Sequence, residues 1–218
     1  MTNDPRRFAK KRLLIMVVGG LAGVAAGLAG IYGMGALVRN AAVPEVCRPA
    51  AQLAQSLTPL ARGEVAALAP AKTPIQVADL SFRDASGTER SIADFSDKTV
   101  LLNLWATWCA PCKKEMPALD ELQQALGGAD FEVVAVNIDT RDPDKPKAWL
   151  SETGISSLAY YADPSARIFQ VLKERGRAFG MPTTLLIDSK GCEVATLAGP
   201  AEWASEDAQA FIRKALGR

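Results

Sequence analysis

Two short apolar runs in the middle of the chain predict buried strands. One covers residues 100–105 and the other residues 131–138, and both are rich in leucine, valine and isoleucine. A strand that is covered on both faces reads as a near-continuous apolar run, whereas a half-exposed strand alternates. We therefore expect both runs to lie in the centre of one sheet.

Between these runs, apolar residues recur every three or four positions, which is the period of an amphipathic helix. The residues that carry the pattern are Met116, Leu119, Leu122 and Leu126. Pro111 suits a first helical turn, where its missing N–H costs nothing, and Gly127 suits the end of a helix. These signals predict a helix over residues 110–126, directly after the first central strand.

Shorter patterns predict the remaining elements. In chain order they are short helices at 49–57 and 59–68, a hairpin at 77–82 and 89–92, a helix at 145–153, a strand at 158–161, a helix at 165–174, a hairpin at 183–187 and 193–197, and a helix at 205–216. Strands that alternate with helices and end in a hairpin predict an α/β fold with a mixed central sheet and helices on both faces.

The N-terminal part has a different pattern. Residues 13–38 contain no charged side chain and exceed the roughly 20 residues that span a bilayer. Residues 1–12 carry five basic side chains, which predicts a cytoplasmic N-terminus and a single-pass inner-membrane anchor, with the rest of the chain in the periplasm. A cleaved signal peptide is the alternative, although its apolar region is normally shorter. We expect a spacer with short helices at 39–74 and the folded domain at 75–218.

Composition excludes several kinds of function. The chain has 25 basic and 24 acidic residues, a net charge of +1 and no histidine. The lack of histidine removes Cys-His and Ser-His-Asp catalysis, and it makes a zinc site improbable because such a site needs four Cys or His ligands. No clustered basic patch indicates nucleic acid binding. We therefore expect no metal, no cofactor and no nucleic acid partner.

The strongest chemical signal is the Cys-x-x-Cys at Cys109 and Cys112, between the first central strand and the predicted helix. Two thiols at this spacing can close and reopen a disulfide with little movement of the chain. The start of a helix favours a negative charge and lowers the pKa of the first thiol, and the thiolate is the form that attacks disulfides. The motif predicts a thioredoxin-type redox site.

Two sequence runs resemble the thioredoxin-fold thiol:disulfide interchange proteins of the TlpA/ResA and cytochrome c maturation family, the TlpA type above all. The first is Trp-Ala-Thr-Trp-Cys-Ala-Pro-Cys-Lys-Lys-Glu-Met-Pro at 105–117, and the second is Gly-Met-Pro-Thr-Thr at 180–184. The resemblance implies a thioredoxin fold, a cis Pro182 beside the cysteines and a family insertion at about 139–169. It also implies clients with cysteine pairs that await haem or copper, and re-reduction by a membrane electron donor.

One position departs from ordinary thioredoxins. Asn103 stands where that family carries a buried, proton-accepting Asp, and Asn cannot titrate. Glu115 matches a carboxylate of the resembling family and is our candidate for the missing role. An ordinary exposed helix residue is an equally good interpretation of Glu115.

The other two cysteines, Cys47 and Cys192, make an even count in an oxidising compartment and are predicted to form a structural disulfide. Trp108 and Pro182 are expected to line an apolar docking surface for clients, and the Met181 backbone to pair with an extended client segment.

These features predict a membrane-anchored periplasmic protein-disulfide oxidoreductase. The same motif can reduce or oxidise, and the resemblance to reducing members favours a reductase that serves cytochrome biogenesis. A disulfide oxidase of the same fold and a copper- or haem-handling module remain alternatives, since Cys-x-x-Cys also binds Cu(I).

Overall fold

A computed structural model of the protein describes residues 43–218. The helices within this range are α1 (Arg48–Leu57), α2 (Ala110–Leu126), α3 (Lys145–Glu152), α4 (Arg167–Glu174) and α5 (Glu206–Ala215). The strands are β1 (Ala69–Pro70), β2 (Ser81–Asp84), β3 (Glu89–Ser91), β4 (Thr99–Trp105), β5 (Phe131–Asn137), β6 (Tyr161–Ala162), β7 (Thr183–Ile187) and β8 (Glu193–Ala198). Short 3-10 turns cover Glu45–Cys47, Thr58–Leu60, Gly63–Val65 and Ile92–Phe95.

The strands form one eight-stranded mixed sheet in the order β1-β8-β7-β4-β5-β6-β2-β3. Strand β4 pairs in parallel with β5 and antiparallel with β7, and β7 pairs antiparallel with β8. The predicted thioredoxin fold, a mixed sheet with flanking helices, is confirmed. The two apolar runs form β4 and β5, which lie side by side in the centre of the sheet as predicted. Every residue of β4 after Thr99 is buried.

The register of the central strands determines which segments lie at each end of the sheet. Leu104 of β4 lies opposite Thr183 at the start of β7, and Val100 lies opposite Ile187 at its end. Segments that follow β4 and β5 or precede β7 therefore meet at one end of the sheet. The turn between β7 and β8 lies at the other end.

The first predicted hairpin forms with shifted strands. Its first strand is Ser81–Asp84 rather than 77–82, because the backbone N–H of Val77 donates to Gly191 O (2.7 Å) and ties that residue to the other hairpin. The turn itself forms as predicted, with the Asp84 carboxylate accepting the backbone N–H groups of Ser86 (2.9 Å) and Thr88 (3.1 Å).

The segment before residue 75, which is predicted to be a spacer, packs onto the rest of the described residues. Val43–Arg218 is one compact unit, and β1 pairs with β8. Helix α1 packs against β8 and α5 because one face of it is apolar. Its buried residues are Ala50, Ala54 and Leu57.

The helix predicted at 59–68 is absent as a continuous element. Two 3-10 turns replace it, because Gly63 adopts a left-handed conformation with φ of +54°, which interrupts a right-handed helix. The short strand predicted at 158–161 is found at Tyr161–Ala162, within the predicted insertion. It pairs with β5 on one side and with β2 on the other, and so connects the two parts of the sheet.

The predicted basic segment at 1–12 and the predicted anchor at 13–38 lie outside the described residues. Within residues 43–218, no helix is long and apolar enough to cross a bilayer.

Candidate redox site

The cysteine pair lies where β4 gives way to α2. Cys109 is the residue that caps the N-terminus of α2, and its sulfur accepts a hydrogen bond from the backbone N–H of Cys112 at 3.3 Å. The two residues form a disulfide, with Cα atoms 5.3 Å apart. Cys109 is 5% exposed and Cys112 is fully buried. Since unpaired N–H groups converge at a helix start, the reduced Cys109 sulfur is in a position that stabilises a thiolate.

A carboxylate that follows the neighbouring strand β5 holds the segment before Cys109. Asp139 accepts hydrogen bonds from the backbone N–H (2.8 Å) and the hydroxyl (3.0 Å) of Thr107. The amide of Asn137 donates to the same carboxylate at 2.8 Å. Sequence reasoning did not single out Asp139. The signal that could have indicated it is the pair Asn137 and Asp139, which are polar residues at the end of a buried strand. They lie at the end of the sheet where β4 also ends.

Pro182 lies at this same end of the sheet. The Met181–Pro182 peptide bond is cis, as the resemblance implies, and Pro182 is buried immediately before β7. Its carbonyl accepts the N–H of Gly199 at 2.9 Å, which joins it to the end of β8.

Two large apolar side chains near the motifs are exposed. Trp108 is 63% exposed beside Cys109, and Phe179 is 79% exposed three residues before Pro182. Met181 is half-buried. Trp105, in contrast, is a core residue that packs against Trp149 with ring centroids 5.5 Å apart. Phe179 was missed from sequence because an isolated aromatic residue in a loop carries no periodic signal.

Glu115 is buried, so its interpretation as an ordinary exposed helix residue is wrong. The residue is 3% exposed. Its Oε1 accepts from the side-chain amide of Asn103 (2.8 Å), and its Oε2 accepts from the backbone N–H of Ala201 (3.1 Å) and the indole N–H of Trp203 (3.2 Å). Burial raises the pKa of Glu115 from 4.5 to about 7, and the hydrogen bonds from Asn103, Ala201 and Trp203 limit that rise.

Asn103 is fully buried in the middle of β4, and its Nδ2 also donates to the hydroxyl of Thr184 at 2.9 Å. The amide therefore joins α2 to β7 through Glu115 and Thr184. Trp203, which precedes α5, was not predicted as part of this network.

Cys47 and Cys192 are joined by a disulfide, with Cα atoms 5.4 Å apart. The bond links the start of α1 to the turn between β7 and β8. This turn lies at the end of the sheet opposite the Cys109 pair, so the two disulfides are separated by the length of the central strands.

No cluster of three or more His, Cys, Asp or Glu side chains within residues 43–218 is placed to hold a metal ion.

The chain is similar in sequence to proteins named for thioredoxin-like and thiol-disulfide chemistry. Thioredoxin-like protein YneN of Bacillus subtilis (strain 168) is 34% identical over 122 residues, covering 53% of this chain and 65% of the relative. Thiol-disulfide oxidoreductase ResA of Geobacillus thermodenitrificans (strain NG80-2) is 32% identical over 120 residues, covering 52% and 62%. The chain thus spans somewhat less than two thirds of the length of either relative.

A solved structure agrees with the fold. The crystal structure described as thiol:disulfide interchange protein DsbE from Chlorobium tepidum is 27% identical, with a TM-score of 0.56 over 65% of this chain and 96% of that one. The resemblance to the TlpA/ResA type is confirmed. Residues 67–212 match the redoxin family, and the chain belongs to that family.

Proposed function

We propose that the protein is a thiol:disulfide oxidoreductase that reduces disulfide bonds in client proteins. The observation that carries this proposal is the Cys109–Cys112 pair at the start of α2, in which Cys109 keeps 5% of its surface exposed and Cys112 is fully buried. Such an arrangement gives the two thiols different roles, because only the first can meet a partner protein.

In the proposed reaction, the Cys109 thiolate attacks one sulfur of a client disulfide. A mixed disulfide forms and the other client sulfur leaves as a thiolate. Cys112 then loses its proton and attacks the Cys109 sulfur, which closes the internal disulfide and releases the second client thiolate. The two cysteines of this protein lose two electrons, and the client gains two electrons and, on protonation, two protons.

Glu115 is the proposed acceptor of the Cys112 proton. It follows Cys112 by three positions in α2, and residues at this spacing share one face of a helix. A pKa of about 7 lets the carboxyl group take up and release a proton near neutral pH.

The proposed docking surface consists of the exposed Trp108 and Phe179 and the half-buried Met181, next to the buried Pro182, and these residues come from the two loops that precede Cys109 and β7. Its exposed aromatic rings suit an extended client segment that carries apolar side chains beside its cysteines. In the proposed complex, the backbone of Met181 pairs with such a segment.

The proposed setting is the periplasmic side of the inner membrane, with residues 13–38 as the anchor. The basic residues of the first twelve positions and the apolar stretch after them support this orientation. The resemblance to the TlpA/ResA type supports clients whose cysteine pairs await haem or copper during cytochrome biogenesis. A membrane electron donor would return the oxidised pair to the dithiol form.

Reduction of insulin disulfides by the full chain tests the activity. We expect turnover with the wild type and loss of turnover in Cys109→Ser. In Cys112→Ser, a mixed disulfide with the client should accumulate, because the intermediate cannot resolve. A Cys109→Ser protein that still reduces insulin would overturn the proposal.

Two further measurements separate the alternatives. Equilibration with glutathione should give a reduction potential nearer to the value of about −270 mV for thioredoxin than to about −120 mV, which is typical of a strong oxidant. Stoichiometric Cu(I) retained by the purified reduced protein would instead favour a copper-handling module.

A further inference from the structure

The groups that hydrogen-bond to the Glu115 carboxylate are all donors. Asn103 Nδ2 is 2.8 Å from Oε1, and the Ala201 N–H and the Trp203 indole N–H reach Oε2 at 3.1 and 3.2 Å. Three donors satisfy an ionised carboxylate. A protonated carboxyl group needs an acceptor for its own O–H, and none of these three groups can accept a hydrogen bond.

An acceptor lies on the same amide that donates to Glu115. Asn103 Oδ1 is buried and has no hydrogen-bond partner among the residues that the structure describes. A half-turn about the Cβ–Cγ bond of Asn103 exchanges Oδ1 and Nδ2, and this terminal torsion of Asn is broad and roughly two-fold. After the half-turn, Oδ1 faces Glu115 Oε1.

The other neighbour of the amide tolerates both orientations. The Thr184 hydroxyl accepts from Asn103 Nδ2 at 2.9 Å, and a hydroxyl can equally donate to an oxygen in the same place. Thr184 therefore sets no preference for one orientation. Glu115, in contrast, sets a strong preference that depends on whether it carries a proton.

We propose that Asn103 is a positioning residue with two orientations, donating through Nδ2 to the Glu115 carboxylate and accepting through Oδ1 from the protonated carboxyl group. The amide turns as Glu115 gains or loses its proton. The Glu115 carboxyl group then keeps a hydrogen bond to the amide in both forms, while Nδ2 leaves Glu115 and Thr184 and takes the place that Oδ1 held.

A cleft gives the carboxyl group a route to solvent for its proton. The cleft has a volume of about 240 Å³ and is lined by Glu64, Lys114, Glu115, Pro200, Ala201 and Glu202. The charged residues of its lining besides Glu115 are the acidic Glu64 and Glu202 and the basic Lys114. Asn103 and Thr184, which come from β4 and β7, add no charge. Burial places the pKa of Glu115 at about 7, so both forms are populated near neutral pH.

The consequence for disulfide exchange rests on the proposed function. There, the turn of the Asn103 amide stabilises Glu115 after it has taken the Cys112 proton. An amide can do this without titrating, so Glu115 remains the group that holds the proton.

Infrared spectroscopy of the oxidised full chain tests the proposal without any client, so its outcome is independent of insulin reduction. Disulfide-bonded cysteines do not titrate, and the C=O band of protonated Glu115 is identified by its loss in Glu115→Gln. In Asn103→Leu, we expect this band to move to higher frequency because the carboxyl O–H loses its acceptor. In the control Thr184→Val, we expect the band to stay in place. An unmoved band in folded Asn103→Leu overturns the proposal.

Nuclear magnetic resonance of the unaltered chain decides the matter even if Asn103→Leu does not fold. The nuclear Overhauser effects between the Asn103 side-chain NH₂ protons and Thr184 should weaken as pH falls. The midpoint of this change should equal that of the pH titration of the Glu115 carboxyl carbon chemical shift. Contacts that persist unchanged through the Glu115 titration contradict a turning amide.

Discussion

Glu115 belongs to the helix that begins with the cysteine pair, but its environment is made by other segments. Asn103 comes from β4, and Ala201 and Trp203 come from the loop before α5. This convergence buries the carboxyl group, and burial shifts its pKa towards neutral pH. A single side chain thereby links the redox site to the pH of its surroundings.

The raised pKa of Glu115 predicts a pH-dependent stability. The folded protein binds this proton more tightly than the unfolded chain, so the stabilisation is complete below the unfolded pKa of 4.5 and is lost as pH rises through about 7. Relative to Glu115→Gln, the oxidised wild type should lose about 3 kcal/mol of unfolding free energy between about pH 4 and about pH 8. Denaturant titrations at both pH values measure the difference, and a gap that stays constant contradicts it.

The exposed aromatic residues predict a separate effect on client binding. Trp108 and Phe179 are 63% and 79% exposed, so removing either ring should leave the melting temperature nearly unchanged. Trp108→Ala and Phe179→Ser should each lower kcat/KM for a client peptide by about tenfold, as is typical of an aromatic contact at the centre of an interface. Val46→Ser is a matched control, because Val46 is also exposed (42%) but belongs to the turn before α1. Equal losses in all three variants would exclude a specific docking surface.

At the scale of elements, α1 and the β7–β8 hairpin are joined both covalently and by packing. The Cys47–Cys192 disulfide closes a loop with a sequence separation of 145, whereas Cys109–Cys112 closes one of 3. A long closed loop restricts the unfolded chain far more than a short one. The disulfide far from the redox site is therefore expected to contribute more to stability than the redox-active one.

Removing each disulfide should give different losses of stability. The chain-entropy model sets upper limits of about 5 kcal/mol for Cys47→Ala/Cys192→Ala and about 2 kcal/mol for Cys109→Ala/Cys112→Ala. Unfolding in denaturant under non-reducing conditions measures both. The first variant should keep insulin reduction below its melting temperature, because its cysteines lie at the opposite end of the sheet. A larger loss in the second variant would contradict this account.

At the scale of the whole molecule, the compact unit begins at Val43, close to the end of the apolar stretch at 13–38. In the proposed setting, that stretch is the membrane anchor and the folded unit follows it in the chain on the periplasmic side.

Fusion reporters test this orientation. Alkaline phosphatase joined after residue 218 should be active, because it folds on the periplasmic side, and β-galactosidase at the same place should be inactive. Replacing the basic residues of 1–12 with neutral ones should weaken that orientation. An active β-galactosidase fusion to the unaltered chain would place the redox site in the cytoplasm and contradict the proposed setting.

Much of the fold could be read from local patterns. The apolar runs at 100–105 and 131–138 became β4 and β5 within a residue at each end, and the helix at 110–126 has the predicted bounds. These elements are long and strongly periodic. The segment 59–68 was predicted less well, because the left-handed Gly63 interrupts a composition that otherwise suits a helix.

By itself, the sequence determined the redox chemistry and the central elements, because a Cys-x-x-Cys and a hydrophobic period depend on residues within one turn or one strand. Only the tertiary structure decided that Glu115 is buried and that α1 belongs to the domain. The physical reason is that burial comes from distant segments. The groups that enclose Glu115 include Ala201 and Trp203, which follow it by 86 and 88 positions in the chain. No local sequence pattern indicates a contact between residues so far apart.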